Sequence, residues 1–582
     1  MSGSTTPAID APTAVAGQMT HSQIMKALSG LLLAMFVAIL SSTVVSAALP
    51  KIIADLGGGQ SAYTWVVTAT LLTMTISTPI WGKLADLFDR KVLIQAGIII
   101  FLIGSVFAGL AQSTAWLISA RAVQGVGIGA LTALVQVILS DLVSPRERGR
   151  YMGYLGATFG IGTVAGPVIG GLVTDHLGWH WCFFVGVPFA LTALVLLQRT
   201  LHLPRIRRDS VKIDVLGAFL IAAGVSSLLI WVTLAGKNYD WVSGTSAAMV
   251  IGGLLLLVAS VIVERRTQEP LIPTNLFENR TVVMAVIASV AVGIAMFGTT
   301  IFLTQYMQLA RGYSPTESGL LTIPMVVGLF GSSTISGRRI SQTGRYRIYM
   351  LAGTLFLAAG LGLMGLIDET TSLVEVGIFM LIVGIGVGMV MQNLILAVQN
   401  VIPAREMGAG SALIAFFRSL GGAIGVSVLG AILGTRVTSH IGEGLAERGI
   451  DPGTMGSTGG QIPDLTTLPV PVREVIQHAY GTGIAEIFLL AAPLGLVAFV
   501  AVWFLQEQRL GTKSGAQIVA EQLAADRQAA GSGDEHEGVD GAASEVGGNG
   551  SGRDGVEPLV SRPLPPAAGS DAPQVPIGSR HS

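Results

Sequence analysis

Fourteen runs of about 20 apolar residues, divided by short polar connections, fill the chain from Ala27 to Leu505. A helix rises about 1.5 Å per residue, so each run can cross a hydrocarbon core about 30 Å thick. Lipid offers no partner to backbone N–H and C=O groups, and segments of this length and apolarity satisfy them as helices. Composition agrees, since 51% of the 582 residues are hydrophobic and only 12% charged. A water-soluble globule with that balance would expose large apolar patches. The expected fold is an all-α integral membrane protein.

Six runs lie between Ala27 and Leu197, two between Val215 and Val263, and six between Val282 and Leu505. Cations gather in alternate connections: Lys83, Arg90 and Lys91; Arg146, Arg148 and Arg150; Arg205, Arg207, Arg208 and Lys212; Arg265 and Arg266; Arg338, Arg339, Arg345 and Arg347. The positive-inside rule makes those connections cytoplasmic, and an even number of spans puts both termini inside a cell membrane. The first run is too long for a signal peptide and lacks a clear cleavage site, so it reads as a retained helix. Residues 436–482 read as a long outer loop with a mildly amphipathic stretch, and 511–582 as a disordered cytoplasmic tail rich in Gly, Ser, Asp and Glu.

Several function classes fall away. Cys182 is the only cysteine, which excludes an intrachain disulfide and a cysteine-based metal site. Beside Trp181 it reads as packing. The net charge of −1 gives no sign of a nucleic-acid partner. Gly125-x-Gly127 lacks the strand and βαβ context of a dinucleotide loop, and Gly511-Thr512-Lys513-Ser514 lacks the upstream glycine of a Walker A motif. Neither an enzyme nor a cofactor is expected.

Between the second and third runs stands Gly82-Lys83-Leu84-Ala85-Asp86-Leu87-Phe88-Asp89-Arg90-Lys91, a charged knot in a charge-poor chain. It resembles the signature loop of the major facilitator superfamily, with Asp89 where the strict pattern has glycine. A faint echo, Gly337 to Arg345, keeps the glycine and the distal arginine but has Ser341 in place of Asp86. Gly125-Val126-Gly127-Ile128-Gly129 likewise returns as Gly384-Ile385-Gly386-Val387-Gly388. Such repeats fit two duplicated halves. With two extra central helices, the whole resembles the fourteen-helix drug:proton antiporter branch. The expected division is a 1–25 tail, a 26–200 half, a 201–280 linker with the extra helices, and a 281–510 half.

That resemblance implies a secondary multidrug exporter. It would move amphipathic or cationic small molecules, taken from the inner leaflet or cytoplasm, outward by alternating access as a monomer driven by protons. Gly166-Pro167-Val168-Ile169-Gly170-Gly171 resembles the family's antiporter motif in the fifth helix. Gly166, Pro167, Gly170 and Gly171 therefore join Gly82, Asp86, Arg90 and Lys91 as candidates for conformational switching. Arg121, inside the fourth span, matches the family's proton-coupling arginine; a snorkelling side chain is the alternative. Gln392, Asn393, Met389, Met391, Phe416, Phe417 and Arg418 lie near the midplane as candidate cavity residues. Arg418, roughly 15 Å deep by helical rise, fits a structural pair, an anionic substrate group or cavity water.

The pattern breaks where coupling is concerned. The first helix reads Leu40-Ser41-Ser42-Thr43-Val44-Val45-Ser46-Ala47-Ala48-Leu49-Pro50, with Ser41 at the position of the family's acid. Serine exchanges no proton at physiological pH, which leaves Glu317, Glu375 and Glu486 as outer coupling candidates and Asp214 as an inner one. Each also fits a solvated interfacial carboxylate. His180, between Trp179 and Trp181, fits a membrane-edge aromatic belt or a pH sensor. Two other readings stay open: a dedicated exporter of one endogenous metabolite or lipid, and a sensing protein that transports nothing.

Overall fold

The structure, a computed structural model, describes residues 21–57, 60–201, 214–236, 239–267, 270–403, 406–449 and 469–510. The cations at 205–212, most of the N-terminal tail and the 511–582 tail lie outside the described residues. Within them there are sixteen α-helices and one isolated bridge between Ala235 and Tyr239.

The first half comprises α1 (His21–Asp55), α2 (Gln60–Leu87), α3 (Arg90–Gly109), α4 (Thr114–Leu142), α5 (Pro145–His176), α6 (His180–Phe184) and α7 (Gly186–Thr200). The inserted pair is α8 (Val215–Leu234) and α9 (Gly244–Glu264). The second half comprises α10 (Arg280–Gln305), α11 (Pro315–Leu321), α12 (Ile323–Thr343), α13 (Arg347–Met364), α14 (Leu373–Gln399), α15 (Met407–Glu447) and α16 (Val470–Phe504). Because α6 with α7 and α11 with α12 each form one broken pass, the helices match the fourteen apolar runs.

Thirteen passes among the described residues are long and apolar enough to span a membrane. The exception, α2, carries Thr70, Thr73, Ser77 and Thr78, whose hydroxyls donate to carbonyls three or four residues back in the same helix. That bonding lets a hydroxyl-rich helix remain at membrane depth.

The glycine echo has a structural counterpart. Gly125 and Gly129 of α4 lie against Thr70 and Met74 of α2, while Gly127 faces Phe101 of α3. In the second half Gly384 and Gly388 of α14 lie against Met325 and Leu329 of α12, while Gly386 faces Leu357 of α13. Both sets are near enough that a methyl group would overlap the facing backbone. Without apolar solvent contrast in lipid, such close approach supplies the association. Thus α2, α3 and α4 correspond to α12, α13 and α14, and the repeat is a repeat of helix seams.

The inserted pair packs on itself, Gly224 against Leu257 and Gly253 against Leu228. It then closes onto the seam between halves, where Ile221, Val225 and Leu229 of α8 cluster with Leu72 and Ile76 of α2 and Phe416 of α15.

The stretch expected as an outer loop from 436 to 482 is helical at both ends, with α15 running to Glu447 and α16 starting at Val470. Leu445 packs with Val472, Val475 and Ile476, so apolar residues on both helices carry the α15–α16 pairing into the stretch expected as loop. Its middle, 450–468, lies outside the described residues.

Gly127→Val and Gly386→Val are expected to destabilise the fold alike, by about 2 kcal/mol or more, since overpacked helix seams cannot relax cheaply. Gly252→Ala, whose methyl enters open space, is the control. Thermal unfolding of the purified variants checks this; an unchanged midpoint in either valine variant contradicts the repeat of seams.

Candidate functional site

The N-terminus of α15 has unpaired amides, as every helix does, and its own N-cap residue, Glu406, makes no side-chain capping bond. Asp86, from the end of α2 in the other half, takes that role. Its Oδ1 accepts from the Gly408 N–H at 2.8 Å and its Oδ2 from the Ala409 N–H at 2.9 Å. A capping side chain normally binds these second and third helical amides, so this carboxylate caps a helix across the boundary between halves. The helix dipole adds to the attraction. Close approach is needed: a methyl on Gly82 would meet Ala412 and the Gly408 carbonyl at 2.8 Å, and one on Gly408 would strike Gly82 and Asp86.

Around this cap lies a buried polar belt. Arg90 pairs with Asp141 of α4, donates from Nε to the Ala85 carbonyl at 3.0 Å, and reaches Asp86 Oδ1 at 4.0 Å. Arg148, fully buried, donates to Gln399 Oε1 of α14 and to the Ser140 and Val143 carbonyls at 3.0 and 3.2 Å. Gln399 donates in turn to Ser411 Oγ of α15 at 2.5 Å, and Gln136 of α4 donates to Gln392 Oε1 of α14 at 3.1 Å. Lys91 is turned elsewhere, donating to the Gln198 carbonyl of α7 at 2.8 Å within its own half. Asp89, the departure from the signature, accepts from the Lys91 N–H at 2.9 Å and caps α3.

The second copy of the knot occupies the mirrored position. Ser341, at the end of α12, accepts through Oγ from the Arg150 N–H at 3.1 Å near the start of α5. One crossing carries a carboxylate on a helix N-terminus, and its counterpart carries a neutral hydroxyl.

Helix α5 is packed on two sides. Gly162, Gly166 and Gly170 face Ile39, Thr43 and Val44 of α1, and Thr43 Oγ1 donates to the Gly162 carbonyl at 3.0 Å. On its other side Gly153, Gly156 and Gly160 face Thr334, Ser333 and Val326 of α12, Pro167 faces Gly319 of α11, and Gly171 faces Thr316. Pro167 lies inside the helix and cannot donate to the Thr163 carbonyl. Both seams of α5 therefore place backbones in contact, one within its half and one across the boundary.

Arg121 is 3% exposed and donates to Gln124 Oε1 at 2.5 Å. Gln124 Nε2 donates to Ser41 Oγ at 3.0 Å and to Ser105 Oγ at 2.8 Å. Ser41 of α1 is thus linked to Arg121 of α4 through the neutral amide of Gln124. Glu317 closes a capping box with Ser314, and Glu375 is exposed in the first turn of α14. Glu486 is half-buried and bridges α16 to α15 through Arg436 Nε and His440 Nε2, each at 3.2 Å. Asp214 caps α8 through the Gly217 N–H at 2.8 Å. His180 stacks on Trp179 with ring centroids 3.6 Å apart, and buried Cys182 meets Thr174 Oγ1 at 3.2 Å.

A recess between the halves is lined by Phe159 and Thr163 of α5, Met296 and Thr299 of α10, Met325 of α12 and Val387 of α14. The candidate cavity residues lie apart from it. Gln392 sits in the polar belt, Asn393 donates to the Met389 carbonyl at 2.7 Å, and Met389 packs against Gly353 of α13. Met391 belongs to the second-half core, and Phe416 and Phe417 form an edge-to-face pair 5.1 Å apart in the cluster with α8. Arg418 is buried on α15 beside Gly293 of α10.

Sequence reasoning missed Asp141, Gln124, Gln136 and Gln399, and placed Arg148 only as a loop cation. Two buried glutamines on each of two otherwise apolar spans, Gln124 and Gln136 on α4 and Gln392 and Gln399 on α14, were the available signal.

The sequence model described as Major Facilitator Superfamily matches residues 31–426. Relatives include the multidrug transporter protein MdtP of Bacillus subtilis, 36% identical over 70% of this chain and 75% of that protein. Multidrug resistance protein 3 of the same organism is 32% identical over 83% and 95%. An uncharacterized MFS-type transporter of Mycobacterium tuberculosis is 34% identical over 87% and 73%. Among solved structures, the proton:xylose symporter XylE aligns over 86% of this chain and 99% of its own, with a TM-score of 0.57 at 14% identity, a likeness of fold. The chain belongs to the Major Facilitator Superfamily, on its drug-efflux branch.

Proposed function

We propose that the protein is a secondary exporter of amphipathic small molecules in the cell membrane, working by alternating access as a monomer with both termini cytoplasmic. The observation that carries this reading is the Asp86 carboxylate capping α15 of the opposite half. A bond of that kind stabilises one arrangement of the halves and is lost in the other, which is what a two-state carrier needs. The cap, the Arg148–Gln399 bond and the Ser341 contact all close the end that the charge pattern assigns to the cytoplasm. The α5 seams supply surfaces on which the other end rearranges.

Proton entry is the proposed driving force. Glu486 has the setting that best supports proton exchange among the three outer carboxylates, because it joins two helices through a histidine. Arg121 is proposed to relay conformation through Gln124 to α1 and α3, where Ser41 and Ser105 accept.

Each charge-assisted bond to a buried carboxylate is worth about 1.5–3 kcal/mol. Asp86→Ala is therefore expected to lower drug efflux at least tenfold and to speed hydrogen exchange at the Gly408 and Ala409 amides. Slow exchange retained in that variant contradicts the latch. In proteoliposomes an imposed proton gradient is expected to accelerate export of a fluorescent amphipathic drug, and Glu486→Gln to remove that acceleration while leaving downhill flux. Flux indifferent to the gradient in the unmodified protein contradicts proton coupling.

A further inference from the structure

Arg418 stands eleven residues from the start of α15, about 16 Å along the helix and so near the bilayer midplane. It is 8% exposed, and its Nη1 is sealed from solvent without a hydrogen-bond partner among the described residues. A guanidinium at this depth is expensive and is kept where it pairs with something. Methionine or glutamine would fill the same space without the charge.

Among the described residues the surroundings offer no internal counter-ion. Apart from Glu486, which Arg436 and His440 engage, every carboxylate on the described helices lies within two turns of a helix end. The other cation buried away from the latch, Arg121, has the neutral Gln124 as its partner, and Ser41 holds the place of the family acid. A second orphan lies on the neighbouring helix. Ser289 of α10 is 1% exposed and its Oγ also lacks a partner among the described residues. Ser289 precedes Gly293 by one helical turn, and Gly293 is the residue of α10 that abuts the Arg418 backbone. The two unsatisfied groups therefore stand on facing helices at similar depth.

We propose that Arg418, with Ser289, receives the anionic head of an amphipathic substrate, a carboxylate or sulfonate, and that the protein selects for anions. This rests on the export reading and narrows its substrate class. The planar fork of the guanidinium matches two oxygens of such a head, and a serine hydroxyl donates to a third position. In a low-dielectric interior carrying two buried cations, an organic anion is attracted and a lipophilic cation is repelled. Arg418 sets specificity, separate from the latch.

The test is binding to the full-length protein in lipid nanodiscs. The probes are 8-anilinonaphthalene-1-sulfonate, its uncharged counterpart N-phenyl-1-naphthylamine, and the cation ethidium. The unmodified protein is expected to bind the sulfonate at least tenfold more tightly than either of the others. Arg418→Gln should abolish that preference while leaving affinity for the uncharged probe within about twofold. Arg418→Lys should retain part of it, and Ser289→Ala should weaken sulfonate binding a few-fold. The lysine and alanine variants decide the matter if the glutamine variant does not fold. Equal or tighter binding of ethidium by the unmodified protein overturns the proposal, as does a sulfonate preference that survives in folded Arg418→Gln, or one that is undiminished in both Arg418→Lys and Ser289→Ala. Binding that follows this pattern without flux of any probe would instead count against the export reading alone.

Discussion

The cap that Asp86 places on α15 is the interaction on which the rest of the arrangement depends. Glu406 leaves the first amides of α15 without a side-chain cap of their own, and the carboxylate that satisfies them comes from the other half of the molecule. Separating the halves at that end strips bonds from a buried charge and a helix terminus together. Gly82 and Gly408 are part of the same constraint, because a side chain on either would hold α2 away from α15. The surrounding belt pairs the Arg90 charge with Asp141 and gives Arg148 neutral acceptors in Gln399 and the Ser140 and Val143 carbonyls.

The two halves repeat in their packing and differ in their charge. Helices α2 to α4 and α12 to α14 share the same glycine seams, yet one crossing carries Asp86 and its counterpart Ser341. A carboxylate on a helix N-terminus makes charge-assisted bonds, whereas the Ser341 hydroxyl, which accepts from the Arg150 N–H and donates to the Glu147 carbonyl at 3.5 Å, makes neutral and individually weaker ones. The two crossings therefore differ in charge, and the switching role proposed for the first rests on its carboxylate. Of the inserted pair, α8 packs on the same α2–α15 seam, with α9 on its other side.

Much of the fold was legible because membrane helices are written in apolar length, and the fourteen runs correspond to the passes formed by α1 to α16. The repeat was legible because Gly125 to Gly129 and Gly384 to Gly388 mark backbones in contact. The hairpin ends of α15 and α16 were not, since their polar faces resemble a loop once they leave the lipid, and their pairing depends on Leu445 meeting Val475 and Ile476. Asp86 could be placed from the signature; its partners, the amides of α15, belong to no side chain and leave no trace in composition. The polar belt escaped notice for a related reason: Gln136, Gln392 and Gln399 meet only when α4 and α14 are brought together. Met389, Met391 and Phe416 had the composition of a cavity wall, and the same apolar character serves packing against α13, the second-half core and α8.

The central claim is that the halves exchange between two arrangements governed by the Asp86 cap. Val92 and Ile348, at the starts of α3 and α13, and Leu110 and Leu366, just past their far ends, are exposed and equivalent in the repeat. Spin labels on cysteines at these pairs, in a Cys182→Ser background, report the two ends separately by double electron–electron resonance. The account predicts that Asp86→Ala lengthens the 92–348 distance and shortens the 110–366 distance in the same sample. Distances that stay fixed, or that lengthen together, would contradict it.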